Sequence, residues 1–227
     1  MNFDLRARLT SEFLGTAFLV AAVIGSGIMA ERLAGGNTAI ALLANTIATG
    51  AALVALILTF APISGAHFNP AVTLAETINH EISLWAACAY VVVQCVAGMA
   101  GAVIAHLMFG LRWYSLSVHA RNGLPLIFSE FVATFGLLIV VLGCSRLHSS
   151  AVPYAVGSYI TAAYWFTAST SFANPAVTIA RALSDTFAGI RPADVPFFIT
   201  AQLAGALAAT YLLRWISPSL RVGQSSS

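Results

Sequence analysis

Residues 69–76 read Asn-Pro-Ala-Val-Thr-Leu-Ala-Glu, and residues 174–181 read Asn-Pro-Ala-Val-Thr-Ile-Ala-Arg. Asn is a strong helix N-cap, and Pro suits the first helical turn because its missing N–H would go unpaired there. Each copy therefore starts a helix, at Asn69-Pro70 and at Asn174-Pro175. Each also lies in a stretch with no Asp, Glu, Lys or Arg, Leu33–Ala75 and Leu147–Ala180. As one helix the first stretch would measure about 65 Å, twice the hydrocarbon core of a bilayer. Both stretches must break inside or near a membrane. Pro62, Ser64, Gly65 and Pro70 supply breakers in the first, and Pro175 in the second.

The membrane follows from composition. Of 227 residues, 59% are hydrophobic and 8% charged, against roughly 25% charged in an ordinary soluble domain. That excludes a soluble enzyme, a disordered chain and a nucleic-acid binder. The net charge is +2, every basic residue is Arg, and none cluster. Cys88, Cys95 and Cys144 lie in apolar stretches without metal or redox spacing and are expected to be small buried hydrophobes. No cofactor or metal is expected. Arg6 and Arg8 precede an apolar run over 9–30, too long for the roughly 7–15 residues of a secretory signal core. It is expected to be the first membrane span, not a cleaved leader.

Spans are expected at about 9–30, from about 38, at 83–109, at 124–145, from about 152, and at 194–214, with half-length segments at 69–79 and 174–184. The whole is an all-α membrane protein in a single domain, with a disordered tail at 218–227. The halves, about 9–110 and 124–215, echo one another. Ser11-Glu12-Phe13 matches Ser129-Glu130-Phe131, and Gln94 with Gly98 matches Gln202 with Gly205. Three spans per half invert the second half relative to the first. Paired broken segments in an inverted repeat mark a solute site. Arg6, Arg8, Arg146, Arg214 and Arg221 fall on the side of the termini, and Arg32, Arg112, Arg121 and Arg191 opposite. That excess favours cytoplasmic termini in a cell membrane.

Inversion brings the two helix N-termini face to face near mid-membrane, each with about half a positive charge. Two such ends repel cations. The Asn69 and Asn174 amides can cap their helices and still offer N–H groups. Backbone carbonyls around 65–68 and 171–173 are expected to stand uncapped as a ladder of acceptors. Such a path suits small uncharged hydroxylated solutes.

The run Ser64-Gly65-Ala66-His67-Phe68-Asn69-Pro70-Ala71-Val72-Thr73, with the second Asn174-Pro175-Ala176, resembles the aquaporin (major intrinsic protein) family over about 9–215. The resemblance implies six spans with two half-helices, a homotetramer of independent pores in membrane lipid, and cytoplasmic termini. It also implies that Glu12 and Glu130 brace the half-helix loops. The departures carry the specificity. Most members place Arg directly after the second Asn-Pro-Ala, where this chain has Val177. Most water-selective members place an aromatic residue where this chain has Thr49. A widened filter of Thr49, Val177, Ser171 and a residue of the fifth span follows. Ala162 or Tyr164 supplies that residue, depending on the direction of counting. Tyr164, Trp165, Phe166 and Phe172 otherwise read mostly as a lipid-interface belt. Arg181, one turn beyond Val177, is expected to pair with Asp185, the alternative being a place in the filter.

The expected function is a passive channel for small neutral solutes: polyols such as glycerol, water, amides and neutral metalloid hydroxides. Thr49 with Val177 resembles an atypical bacterial aquaglyceroporin branch associated with arsenic resistance, which brings arsenite among the candidates. The alternatives are a water-selective channel and one that leaks cations for want of the filter Arg. A membrane enzyme is disfavoured: His67, His106, Glu12 and Glu130 show no hydrolase or zinc spacing.

Overall fold

A computed structural model describes residues 3–216. The expected tail at 218–227 lies outside the described residues. The described chain is helical, without strands. Its elements are α1 (Leu5–Leu33), α2 (Thr38–Ser64), the short α3 (Pro70–Ile78), α4 (Leu84–Met108), α5 (Leu124–Leu147), α6 (Val152–Phe166), the short α7 (Pro175–Arg181) and α8 (Val195–Ile216). Helices α1, α2, α4, α5 and α8 are long and apolar enough to cross a membrane. Helix α6 is shorter, at 15 residues, and is extended by a 3-10 turn over Ser149–Ala151.

Local chemistry sets the helix starts. Asp4, Asn37 and Ser83 cap α1, α2 and α4 through side-chain oxygens. Pro125 and Pro153 occupy the first turns of α5 and α6. Pro62 does not break α2, contrary to expectation. The helix runs on to Ser64 and stops at Gly65, where φ is +87°. A left-handed C-cap costs glycine little.

The two halves pack alike. Helix α1 lies against α2 and α4, and α5 against α6 and α8; α2 against α6 joins the halves. Small residues let backbones approach where lipid supplies no hydrophobic drive between helices. A Cβ on Gly101 would sit 2.3 Å from the Ala17 carbonyl, and one on Gly205 2.5 Å from that of Phe131. At the α2–α6 crossing, a Cβ on Gly157 would lie 2.8 Å from the Gly50 carbonyl. That contact brings Thr49 and Tyr164 together across the molecule.

Both ends lie at one face. Leu5 and Leu9 pack on Ile82 and Ala86, and Arg214 donates to the Ile78 carbonyl at 2.7 Å near the end of α8. The cysteines correct their expectation. Cys88 is exposed, and Cys95 and Cys144 are half-buried. They sit on outward helix faces, where an apolar thiol is as well solvated by lipid as by a core.

The Gly205 contact is testable. Gly205→Val has only backbone to push against and should cost about 1–3 kcal/mol, the usual penalty of overpacking. Thermal unfolding in detergent should show a clearly lower midpoint than for Gly143→Ala, since a Cβ on Gly143 meets nothing within 4 Å. Equal midpoints would contradict the packing.

Candidate functional site

The short helices α3 and α7 point their N-termini at one another. Asn69 Oδ1 accepts from the Ala71 N–H at 2.9 Å. Asn174 Oδ1 accepts from Ala176 at 3.0 Å and Val177 at 3.2 Å. The amide nitrogens then cross over. Asn69 Nδ2 donates to the Ala173 carbonyl at 2.7 Å, and Asn174 Nδ2 to the Phe68 carbonyl at 2.8 Å. Two carbonyls of the expected open ladder are thus already taken, each by the opposite Asn. Each amide keeps one further N–H.

The loops before α3 and α7 share one unusual backbone. Ala66 and Phe68 have φ of 50° and 48°; Ser171 and Ala173 have 49° and 48°. Left-handed non-glycine residues cost on the order of 1–3 kcal/mol each and persist only where their surroundings hold them. Two carboxylates do the holding. Glu12 accepts from the N–H groups of His67 and Phe68, at 2.9 and 2.7 Å, and from Ser64 Oγ and Gln94 Nε2. Glu130 accepts from the N–H groups of Phe172 and Ala173, both at 2.9 Å, and from Gln202 Nε2 at 2.6 Å. Gln94 also donates to Thr73, and Gln202 to Thr178, within the first turns of α3 and α7. Both acids are fully buried.

A cavity of about 1220 Å³ runs past these loops. It opens among Arg8, Glu76 and Arg146 at the face of the chain ends and passes Asn69 and Asn174. It then reaches Thr49, Tyr164, Ser171, Val177 and Arg181. Pro70, Ala71, Pro175 and Ala176 are buried behind it. Tyr164 Oη donates to Thr49 Oγ1 at 3.4 Å, joining α6 to α2. Ala162 is exposed on the other side of α6, whereas Tyr164 lines the cavity. A second cavity of about 450 Å³ faces away from the chain ends, with Glu31, Asn37, His119 and Arg121 in its wall. Arg181 lines both cavities.

Two expectations need correction. Arg181 does not pair with Asp185. Its Nε donates to the Ala188 carbonyl, its guanidinium lies 3.3 Å over the Phe172 ring, and Asp185 instead accepts from the Val118 N–H at 3.0 Å. The chain turns sharply after α7, so Asp185 is not on a continuing helix. Tyr164 and Phe172 are buried and face the cavity, not lipid; only Trp165 and Phe166 are exposed. Two of the histidines are engaged by neighbouring groups. His106 bonds Ser184 and the Arg112 carbonyl, and His67 bonds Thr73 Oγ1. No cluster of metal-ligating side chains occurs among the described residues. Phe172 lines the cavity although the aromatic run alone reads mostly as an interface belt. The repeat itself held the signal, since Phe172 and His67 each stand two positions before an Asn-Pro-Ala and both line the cavity.

Known proteins share this arrangement. The chain matches the major intrinsic protein family over residues 2–171 and 127–227. It is 53% identical to aquaglyceroporin AqpS of Rhizobium meliloti (strain 1021), over 95% of this chain and 92% of that one. It is 32% identical to aquaporin NIP1-4 of Oryza sativa subsp. japonica, over 93% of this chain and 77% of that one. The X-ray structure of the aquaglyceroporin from Plasmodium falciparum shares the fold at a TM-score of 0.76 and 19% identity, covering 97% of this chain and all of that one. With two half-helices meeting between membrane-spanning helices along a continuous cavity, this chain belongs to the major intrinsic protein family: it is a multi-pass membrane channel for small solutes, not an enzyme.

Proposed function

We propose that the channel passes small neutral solutes larger than water, with glycerol-like polyols as the leading class and neutral arsenite as a further candidate. The observation that carries this is Val177. It lies in the cavity wall in the first turn of α7, opposite the level of Thr49 and Tyr164. A branched alkyl group there gives an apolar wall, where an arginine would bring a charge and five donors. The selectivity filter in this proposal is Thr49, Tyr164, Ser171 and Val177. Ser171 Oγ and the Tyr164 hydroxyl serve solute hydroxyls, while Val177 and Phe172 serve their carbon faces. The same alternation of polar and apolar walls suits a trihydroxy metalloid.

Asn69 and Asn174 form the central station. Their spare amide N–H groups and the two helix ends contact the oxygen of a passing solute. Glu12 and Glu130 act as braces behind the loops and stay out of the path, which fits their absence from the cavity walls. Residues 1–227 form one channel domain, a homotetramer of separate pores in the cell membrane with cytoplasmic termini. Arg8, Arg146 and Arg214 at the mouth on the side of the chain ends support that orientation.

One observation favours a narrower, water-selective channel. Tyr164 reaches Thr49 across the cavity and occupies part of the room that Val177 leaves. Stopped-flow light scattering on proteoliposomes separates the two, with water, glycerol and arsenite compared in one preparation. Glycerol and arsenite flux well above protein-free vesicles is expected; water flux alone would leave the narrower channel.

The filter assignment has its own test. Val177→Arg should lower glycerol and arsenite flux by about tenfold or more and leave water flux within about threefold, as expected for a bulky fixed donor placed in a tight constriction. Unchanged glycerol uptake would remove Val177 from the filter.

A further inference from the structure

Arg181 lines the path but has no part in the proposed filter. Its side chain is 2% exposed although it carries a full charge. Buried arginines are normally paired with acids, yet no salt bridge to Arg181 occurs among the described residues. Its held contacts are the Nε bond to the Ala188 carbonyl and the Phe172 ring beneath the guanidinium. Nη1 is buried and has no hydrogen-bond partner among the described residues. The same guanidinium is shared by the walls of both cavities. A solute moving from one cavity to the other passes it.

The surroundings fix this geometry. Phe172 is held by its N–H to Glu130 and by edge-on contact with Phe198, ring centroids 5.2 Å apart. On the same ring lies Arg121, its guanidinium carbon 5.0 Å from the centroid. Arg121 differs in being satisfied: it donates to the Gly189 and Ser169 carbonyls, and its N–H to Asp194. Two cations thus flank one aromatic ring, and only Arg181 keeps an unpartnered donor. The charged or titratable groups around it are Arg121, Glu31 and His119 in the outer cavity, Tyr164 in the inner one, and Glu130 behind the Phe172 loop, which acts on it at a distance without touching it.

We infer that Arg181 is the cation barrier of this channel and the donor that meets a solute oxygen between the two cavities. It stands one helical turn beyond Val177 on the same face of α7. The step separates two duties: Val177 leaves room at its own level, and Arg181 supplies the positive field and the directed N–H just outside it. A hydrated cation or proton meets that field in a low-dielectric wall, where it is screened least. A neutral polyol or hydroxide offers the free N–H a lone pair. The assignment rests on the proposed path for neutral solutes and adds the residue that keeps charge out of it.

The experiment uses the full chain in proteoliposomes carrying a pH-sensitive dye, with potassium and proton leak read beside glycerol and water flux. Arg181→Gln removes the charge and keeps an N–H donor. It should raise cation leak by about tenfold or more, as expected when a unit charge leaves a pore constriction, while glycerol flux that stays above protein-free vesicles shows that the channel has inserted and is open. Arg181→Lys keeps a titratable charge. A buried lysine loses its proton below the usual value of about 10.4, so its leak should fall on acidification and rise on alkalinisation while the unsubstituted protein stays flat. An Arg181→Gln channel that passes glycerol with no added cation leak overturns the inference. Should Arg181→Gln fail to insert, the lysine variant decides: a pH-independent leak overturns the inference, and a pH-dependent one supports it. Unsubstituted vesicles that pass water but no glycerol overturn the proposed solute class, and the leak comparison still stands.

Discussion

Two helix N-termini of like partial charge are held against each other inside an apolar layer, and the rest of the molecule exists around that constraint. Left alone they would repel, and the backbone leading into them would expose unpaired groups to lipid. The chain answers in three ways. Asn69 and Asn174 each cap their own helix and bond the carbonyl before the other. The left-handed residues before each cap turn the loop around in very few steps. Glu12 and Glu130 gather the N–H groups those turns leave over. Remove any of these and the strained loops lose the surroundings that hold them.

The duplication is closest where it is structural and loosest where it faces solute. The acids, the glutamines and the first-turn threonines bond in matching ways in both halves. Of the residues that line the cavity, some pairs match, such as Asn69 with Asn174 and Val72 with Val177, and others do not. His67 stands where the second half has Phe172, and Glu76 where it has Arg181. One mouth therefore carries Glu76 among Arg8 and Arg146, while the far end of the same cavity narrows past Tyr164, Phe172 and Arg181. An inverted repeat gives the scaffold its symmetry, and the unlike pairs give the path its direction-dependent chemistry.

Much of this was legible in the sequence because it depends on local spacing. The two Asn-Pro-Ala runs dictate their helix starts, and an uncharged stretch too long for one crossing has to break. The echoes at Glu12/Glu130 and Gln94/Gln202 are fixed distances along single helices. What escaped depends on how helices are turned about their axes and how loops close. Ala162 and Tyr164 sit two residues apart on α6, and only the α2–α6 crossing at Gly50 and Gly157 decides which one faces inward. The same rotation puts Trp165 in lipid and Tyr164 in the cavity. Arg181 and Asp185 have helical spacing, but α7 ends at Arg181, so the i,i+4 rule no longer applies there.

In the proposed filter, that early helix end explains how the channel can do without an arginine at position 177. Room and charge are different demands on a constriction. A side chain that meets both at one level must trade width against field. Four residues on a helix are about 6 Å of rise, roughly the depth of one small solute. Shifting the cation by that distance lets Val177 keep the narrow level apolar and open. The field remains because it decays slowly in a wall that water and salt do not screen. An acid beside Arg181 would cancel that field. The turn after α7 instead sends Asp185 to the Val118 backbone and offers the guanidinium only a carbonyl and a ring. A buried charge with no acid in direct contact is costly, and here that cost is the condition for the charge to act on whatever passes.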